Sequence, residues 1–263
     1  MTSRTLSNWL FPDWDAPDNV VALTTTRLGG VSVGDYADFN LATHVGDESE
    51  NVRRNRTQLL QQLQQRQQFR QIGDQVDVQW LDQVHGTEAV QAQRGAGIQQ
   101  ADAVFTSESG LACCVLTADC LPVLLAARSG HAVAAVHAGW RGLAAGVLEN
   151  TISRFPTSGD EILAWLGPAI GPCHFQVGIE VREAFLDAVD AGQKSQVEDC
   201  FSPDSEPDRY RADLYRLATF RLQALGVKVS GGGFCTFCDA ARFYSFRRQN
   251  NTGRMASLIY LKH

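Results

Sequence analysis

The run LACCVLTADCLPVLLAARSGHAVAAVHAGWRG, residues 111–142, contains the longest apolar stretches of the chain. Short apolar segments bounded by Asp, Pro, Gly and Ser are typical of buried β-strands. The run therefore predicts three successive strands, at Leu111–Thr117, Val123–Ala126 and Ala132–Val136. Asp119 and Pro122 interrupt it, so no segment reaches the roughly 20 apolar residues that are needed to span a bilayer.

Strand signals continue on both sides of this run, at Val20–Thr26, Val76–Leu81, Ala103–Thr106, Ile162–Leu166, Val227–Val229 and Ser257–Leu261. Helical spacing of apolar residues is found at Leu143–Arg154, Ile179–Val189 and Asp213–Leu225, and at Val52, Leu59, Leu60 and Leu63 beside the Gln-rich stretch Gln58–Gln75. Strands outnumber helices and do not strictly alternate with them, which predicts an α+β fold. The segment Val197–Arg209 is expected to be a surface loop between two helices rather than a linker between domains. One domain over residues 1–263 is therefore expected.

Composition excludes several classes of protein. The 263 residues carry 23 Lys+Arg against 29 Asp+Glu, a net charge of −6, which argues against a general nucleic-acid binder. The N-terminal sequence MTSRTLSNWLFPDW lacks the apolar region of a signal peptide. Seven cysteines are an odd number without disulfide-scaffold spacing. A reduced cytoplasmic protein without a membrane partner is therefore expected.

Three predicted strands end in chemically active residues. VQWLDQVHG (residues 78–86) ends near His85, CCVLTADCLP (113–122) near Cys120, and AVAAVHAGWRG (132–142) near His137. Two imidazoles, one thiolate and an open fourth position form a known type of catalytic zinc site. Spacing alone is a weak signal for a shared site and leaves open that these are three separate structural residues. Cys120 could also be a nucleophile with a histidine as its base, and Asp119 or a main-chain carbonyl could orient that histidine.

The sequence also offers candidate substrate-binding residues. His137-Ala-Gly-Trp-Arg-Gly leads into a helix, whose N-terminus and Arg141 could bind an anion, while Trp140 could stack on a base or pack in the core. Two turn-rich segments, residues 25–32 and 38–47, add further polar candidates, which are Arg27, Asn40, His44 and Asp47. In residues 243–254, the side chains of Arg247, Arg248 and Arg254 are equally compatible with structural and ligand-binding roles.

Cys235 and Cys238 form a CxxC motif. A structural zinc site needs four ligands, and the sequence contains no second CxxC, so two packed thiols are expected rather than a metal or redox site. Cys113 and Cys114 are expected to be buried and inert. For Cys173, His174 and His263 the sequence indicates no partner.

With these residues in view, the chain resembles the multicopper polyphenol oxidoreductase (laccase-domain) family, whose members are also described as purine nucleoside phosphorylases and as a peptidoglycan-editing factor. The segments that carry the resemblance are TTRLGGVS, FNLATHVGD, Asn55–Arg56, DQVHG, TADCLPVLL, AAVHAGWRG, LGPAIGPCHFQVG and FYSFRRQNNTGRMAS. The resemblance implies a layered α/β/β/α sandwich, similar to a cysteine-hydrolase-like superfamily. It also implies that His85, Cys120 and His137 are the ligands of one metal.

The laccase label conflicts with the residue inventory. A multicopper oxidase needs a blue-copper site and further histidines, whereas this chain has six His and two Met in total. The resemblance instead implies a zinc enzyme, with Cu²⁺ as the alternative metal. Its expected substrates are phosphate and the purine nucleosides adenosine, inosine and methylthioadenosine, with adenosine deamination as a side activity. Asp82 and Asp119 are candidate acids, and the alternatives are a cysteine amidase acting on peptidoglycan precursors, a polyphenol oxidase, or a non-catalytic metal-binding protein.

Overall fold

The computed structural model describes residues 8–67 and 76–262. Its strands in chain order are β1 Val20–Thr24, β2 Asp77–Gln79, β3 Leu81–Asp82, β4 Ala89–Gln91, β5 Gln99–Gln100, β6 Ala103–Thr106, β7 Leu111–Thr117, β8 Leu121–Ala127, β9 Val133–Ala138, β10 Ile162–Leu166, β11 Gln176–Gly178, β12 Phe201–Pro203, β13 Arg209–Ala212, β14 Lys228–Gly231 and β15 Met255–Leu261. The α-helices are α1 Ser49–Gln67, α2 Trp140–Ala145, α3 Val147–Ser153, α4 Ile179–Asp187, α5 Lys194–Glu198 and α6 Leu214–Ala224.

Two sheets form the centre of the molecule. One has four strands in the order β1-β15-β7-β2, and the other has six in the order β14-β10-β8-β9-β6-β4. The strands β7, β8, β9, β10 and β15 are buried along their whole length. Continuous apolar runs are required there because each of these strands is covered on both faces.

The two sheets pack face to face. Cys113, Val115 and Ile259 of the four-stranded sheet belong to the same core cluster as Leu124 and Trp165 of the six-stranded sheet. Helix α1 covers the outer face of the four-stranded sheet through buried leucines, and α2, α3, α4 and α6 cover the outer face of the six-stranded sheet. The layers therefore follow the order α/β/β/α, and the expected α+β sandwich is confirmed.

The structure differs most clearly from the sequence-based expectations in two segments. The helix expected at Leu143–Arg154 begins earlier, at Trp140, and is divided at Gly146, which adopts a left-handed conformation with φ 96°. Val197–Arg209 is not simply a loop, because it contains the end of α5 and β12, which pairs with β13 in a three-stranded sheet. Such short strands, with Pro203 in one of them, give little period-two signal. Helix α1 accounts for the Gln-rich stretch as far as Gln67, and residues 68–75 lie outside the described part.

Within the described ranges, the helices are either too short or too polar to cross a bilayer.

Candidate metal centre

His85, Cys120 and His137 come together at one edge of the central sheets. Cys120 immediately precedes β8, and His137 lies in the adjacent antiparallel strand β9, opposite Pro122. The Cys120 Sγ atom lies 3.8 Å from His85 Nε2, and the three ligand atoms all lie within 4.8 Å of one another. Ligands at about 2.0–2.3 Å from a tetrahedral metal lie roughly 3.3–3.8 Å from one another. The three side chains therefore need only small adjustments to bind one ion.

A buried carboxylate that the sequence analysis missed organises this cluster. Asp102 Oδ1 accepts a hydrogen bond of 2.8 Å from His137 Nδ1, which leaves Nε2 of that ring for a metal. The same carboxylate accepts the backbone N–H groups of His85, at 2.9 Å, and Gly86, at 2.6 Å. One residue thus orients one imidazole and fixes the loop that carries the other. Carboxylate–histidine pairs of this kind set the tautomer of metal-binding histidines.

The charges within the cluster favour a thiolate. Burial raises the pKa of Cys120, but His137 and His85 outweigh it, and the net pKa is lowered well below that of an ordinary thiol. Burial lowers the pKa of His137, yet the Cys120 thiolate and Asp102 raise it overall. Burial also raises the pKa of Asp102, while the hydrogen bonds from His137 and Gly86 bring it below its usual value. A thiolate is the form of cysteine that binds metals and attacks electrophiles.

Two glycines of the HAGWRG segment are required by close packing. A Cβ atom on Gly139 would lie 2.9 Å from the His85 ring and 3.2 Å from Cys120 Sγ. A Cβ on Gly142 would lie 2.5 Å from the Gly86 carbonyl oxygen, which belongs to the His85 loop. These glycines bring α2 against the cluster, which is the physical reason for the Gly-rich sequence after β9.

The cluster lies in a pocket of about 370 Å³. His44 lines the pocket with two aromatic side chains, Phe175 and Phe246, and two cationic ones, Arg247 and Arg254. Burial is the main cause of the lowered pKa of His44, so its imidazole is neutral near pH 7. The pocket thus combines flat apolar surfaces, positive charge and a candidate metal centre. These features suit a planar heterocycle that has an anionic group or binds together with a separate anion.

Asp119 lines the pocket, but hydrogen bonds engage both of its carboxylate oxygens. They accept the Thr236 hydroxyl at 2.6 Å, the Ser245 hydroxyl at 3.0 Å and the Arg247 backbone N–H at 2.6 Å. The backbone of Asp119 has φ 90°, a left-handed conformation that is uncommon for a residue with a side chain. The three hydrogen bonds hold this turn and, with it, the neighbouring Cys120. The second candidate acid, Asp82, is exposed, accepts a hydrogen bond from Gln100 and is not among the residues that line the pocket.

Of the predicted substrate-binding residues, His44 reaches the pocket and Asn40 lies behind its lining. The Asn40 side chain is buried, and its oxygen accepts the backbone N–H of Arg254 at 3.0 Å. Its amide nitrogen donates to Asp47 at 2.9 Å. Asn40 therefore positions a pocket residue.

The structure does not bring the other three predicted substrate-binding residues to the pocket. Arg27 donates to the carbonyl oxygens of Ala37 and Ala240. Trp140 packs against the core under the six-stranded sheet. Arg141 is exposed, with its guanidinium 4.4 Å from the centre of the Trp140 ring. The sequence could not show that α2 turns this face away from the pocket.

The structure also separates the three arginines of residues 243–254. Arg247 and Arg254 line the pocket, and one nitrogen of each guanidinium also donates to backbone carbonyl oxygens. Arg248 is not among the lining residues and donates to the carbonyl oxygens of Thr236, Phe237 and Phe243, so its role is structural. The expectation of two packed thiols in the CxxC motif is wrong for Cys238, which is exposed and lies near Cys173 and His174.

Fold and site together define a class: an α/β/β/α sandwich protein with a candidate Cys/His metal centre in a pocket at the sheet edge. The model of the family described as multi-copper polyphenol oxidoreductase laccase matches residues 21–262, and the chain belongs to this family. A Pseudomonas aeruginosa protein named purine nucleoside phosphorylase is 50% identical, with 98% of this chain and all of the relative covered. The Escherichia coli protein named purine nucleoside phosphorylase YfiH is 44% identical over 97% of this chain and all of its own length. The crystal structure of a Neisseria meningitidis protein superposes with a TM-score of 0.89 at 45% identity, covering 97% of this chain and 100% of that one.

The donor set of the centre discriminates between the metals that the family description and the sequence suggest. A mixed set of two imidazoles and one thiolate with an open position fits Zn²⁺. The copper cluster that reduces oxygen needs many more histidines. Among the described residues that line the pocket, His44 is the one imidazole besides the two candidate ligands. The residues therefore fit a single zinc ion and do not fit a multicopper oxidase.

Proposed function

We propose that the chain is a zinc-dependent purine nucleoside phosphorylase. It cleaves adenosine, inosine and methylthioadenosine with inorganic phosphate and deaminates adenosine as a side activity. The observation that carries the proposal is the His85–Cys120–His137 cluster in a pocket with aromatic and cationic walls. The names of the relatives from P. aeruginosa and E. coli support it.

In this proposal His85, Cys120 and His137 hold the metal, while Asp102 orients the His137 imidazole and fixes the loop that carries His85. Zn²⁺ bound there would supply a Lewis acid and lower the pKa of a coordinated water molecule, which is the chemistry that purine deamination needs. The Cys120 thiolate contributes a soft sulfur ligand, which favours a borderline-soft cation such as Zn²⁺ over hard cations. Asp119 acts as a positioning residue, because its oxygens hold the turn that carries Cys120.

The pocket walls bind the two substrates. Phe175 and Phe246 offer faces for the purine ring, and the guanidinium groups of Arg247 and Arg254 hold phosphate. Neutral His44 can donate or accept a hydrogen bond at the ribose or the base. In phosphorolysis a phosphate oxygen forms a bond to C1′ while the C1′–N9 bond breaks. The electron pair of that bond leaves with the base, which takes up a proton, and ribose 1-phosphate remains.

The proposal is tested by a product assay on adenosine, with and without phosphate, using protein of measured metal content. Hypoxanthine or adenine with ribose 1-phosphate is expected only when phosphate is present. Arg254→Ala should raise the phosphate KM about tenfold or more, because one charge-assisted contact is worth roughly 1.5–3 kcal/mol. Arg141→Ala is the matched control, since Arg141 is exposed outside the pocket. An effect on KM from Arg141→Ala alone would place the phosphate at the N-terminus of α2 instead.

A cysteine amidase is the second candidate, and one observation favours it. Cys120, His137 and Asp102 form a chain of thiolate, imidazole and carboxylate similar to a nucleophile, its base and an orienting acid. Iodoacetamide labelling with peptide mapping separates the two functions. A metal-bound Cys120 reacts only after a chelator removes the ion, whereas a free nucleophile reacts equally with and without the chelator.

The proposal also includes a single domain over residues 1–263 and a cytoplasmic location. A reducing compartment would keep Cys120 as a thiol rather than a disulfide. The expected partners are the nucleoside and phosphate.

A further inference from the structure

A second cluster of metal-ligating side chains lies outside the pocket, formed by Cys173, His174, Cys235 and Cys238. Cys173 Sγ lies 3.7 Å from Cys235 Sγ and 3.5 Å from Cys238 Sγ. His174 Nδ1 lies 3.2 Å from Cys173 Sγ, 4.0 Å from Cys235 Sγ and 3.3 Å from Cys238 Sγ. All four ligand atoms lie within 4.8 Å of one another.

The topology of the six-stranded sheet brings these residues together. Strands β10 and β14 are adjacent and parallel, with Leu166 opposite Gly231, so the loops that follow them leave the same edge of the sheet. The loop after β10 carries Cys173 and His174, and the loop after β14 carries the CxxC motif. The backbone N–H of Thr236 donates to the Ala169 carbonyl oxygen at 3.0 Å and joins the two loops. A metal bound by the CxxC motif could therefore take its other two ligands from the loop after β10.

The distances match a tetrahedral metal site. With Zn–S near 2.3 Å and Zn–N near 2.0–2.1 Å, tetrahedral ligands lie roughly 3.6–3.8 Å apart. The observed separations of 3.2–4.0 Å bracket that value. The His174 ring stacks on Phe237, with ring centres 4.0 Å apart and an interplanar angle of 17°, which fixes its orientation. The backbone N–H of Gly171 points to Cys235 Sγ at 3.3 Å, as is favourable for a metal-bound thiolate.

A disulfide explains the cluster less well. The sulfur atoms lie 3.5–3.7 Å apart, compared with about 2.05 Å in a disulfide bond. A disulfide would use two of the three sulfurs and leave the third thiol and the imidazole without a function. A tetrahedral cation uses all four groups at once.

We propose that Cys173, His174, Cys235 and Cys238 form a closed structural Zn²⁺ site. Four protein ligands leave no open coordination position, so this site stabilises the fold and is distinct from the open centre at Cys120. Thr236, between two of the ligands, donates to the Asp119 carboxylate at 2.6 Å. Phe175, the residue after His174, lines the pocket. The metal would therefore tie together the two loops that support one wall of the pocket.

The test is the metal content of four purified proteins, measured by elemental analysis after treatment with a weak chelator. They are the wild type, Cys238→Ser, His174→Asn and the control Cys200→Ser, whose buried thiol lies outside both clusters. The two cluster variants should each hold one Zn²⁺ fewer per chain than the wild type, and Cys200→Ser should hold the same amount. Folded cluster variants with wild-type metal content would overturn the proposal.

Co²⁺ substitution in a Cys120→Ser background keeps the test valid if a cluster variant fails to fold. This protein has an intact second cluster and lacks the thiolate of the first. It should show the sulfur-to-cobalt charge-transfer absorption of a three-thiolate tetrahedral site. Absence of this absorption contradicts the proposal. Peptide mapping of Cys173 and the CxxC motif would identify a disulfide instead if it found a mass lower by two hydrogens that a reducing agent restores. Neither result depends on the nucleoside activity.

Discussion

At the level of single side chains, the chemistry of the centre depends on groups that hold the ligands as much as on the ligands. Asp102 contacts His137 and the backbone of His85, and Asp119 holds the turn before Cys120 through three hydrogen bonds. His85 and Asp119 both have positive φ angles, 60° and 90°. Such conformations cost about 1–3 kcal/mol each and persist where surrounding contacts impose them. The ligands are therefore preorganised by buried carboxylates.

Replacing Asp102 with asparagine should weaken metal binding by about 10–100-fold, the usual effect of losing a partner behind a metal ligand. An amide at this position loses the negative charge and cannot accept from both backbone N–H groups and His137 at once. The measurement is the zinc dissociation constant in competition with a chromophoric chelator. Asp82→Asn is the control, because Asp82 is exposed and is not among the residues that line the pocket. Equal zinc affinity in the Asp102→Asn variant and the wild type would show that Asp102 does not support the metal ligands.

Replacing Gly139 with alanine should displace His85 or Cys120 and lower the metal content of the folded protein. The added Cβ would lie 2.9 Å from the His85 ring and 3.2 Å from Cys120 Sγ. Gly192→Ala provides the comparison, since a Cβ there meets no atom within 4 Å. Metal content by elemental analysis, with circular dichroism to establish folding, gives the result. Full metal content in folded Gly139→Ala would show that the ligands tolerate a methyl group.

The residues of the centre were predictable to different degrees. Cys120 and His137 stand out because they lie beside or within strongly apolar strands, and His85 because it follows the predicted strand at Val76–Leu81. Asp102 has a weaker signal, a lone carboxylate in the apolar segment Ala101–Thr106. The second cluster was missed because its four ligands come from two distant loops that only the pairing of β10 with β14 brings together.

At the level of elements, the long buried strands were predictable and the short edge strands were not. The strands β7, β8, β9, β10 and β15 are apolar on both faces because layers cover both sides. The three-stranded sheet of β11, β12 and β13 has strands of only three or four residues, and β12 and β13 include exposed positions. So few residues give no readable alternation. The division of α2 from α3 was not predictable, because it occurs at Gly146 and glycine is also found within continuous helices.

Strand β7 carries two adjacent buried thiols, which gives the stability an alkaline dependence. Burial raises the pKa of Cys113 far above the usual value and that of Cys114 to about 12. Below about pH 9 both thiols are protonated in the folded and unfolded chains, and their full contribution to stability is present. Above that pH the unfolded chain loses these protons while the folded chain keeps them. The free energy of unfolding should then fall by about 1.4 kcal/mol per pH unit for each thiol.

Urea unfolding between pH 8 and pH 10.5 measures this slope. The double variant Cys113→Ala/Cys114→Ala has lost both groups and should show a shallower decline. Its lower absolute stability, caused by the smaller side chains, does not enter the comparison of slopes. Identical slopes in the two proteins would mean that the thiols ionise equally in both states.

At the level of the whole molecule, two sheets packed face to face place three separate chain segments at one edge. The His85 loop, the turn before β8 and the end of β9 meet there. The loop after β10 contributes Phe175 to the pocket wall, and the loop before β15 contributes Arg254. The layer order followed from the family resemblance and is confirmed, but the positions of Arg141 and Arg254 relative to the pocket required the structure. The fold thus supports the site from several elements rather than from one motif.

Replacing Cys120 with serine, on protein of measured zinc content, tests the assignment of the centre most directly. Serine is nearly the same size, but its hydroxyl stays protonated at neutral pH and is a poor zinc ligand. The folded variant should lose the zinc of this centre. Its rates of adenosine phosphorolysis and deamination should both fall by more than ~100-fold, which is the upper end of the effect of losing a residue that supports a metal ligand. Zinc content equal to that of the wild type, together with full phosphorolysis of adenosine, would contradict the assignment.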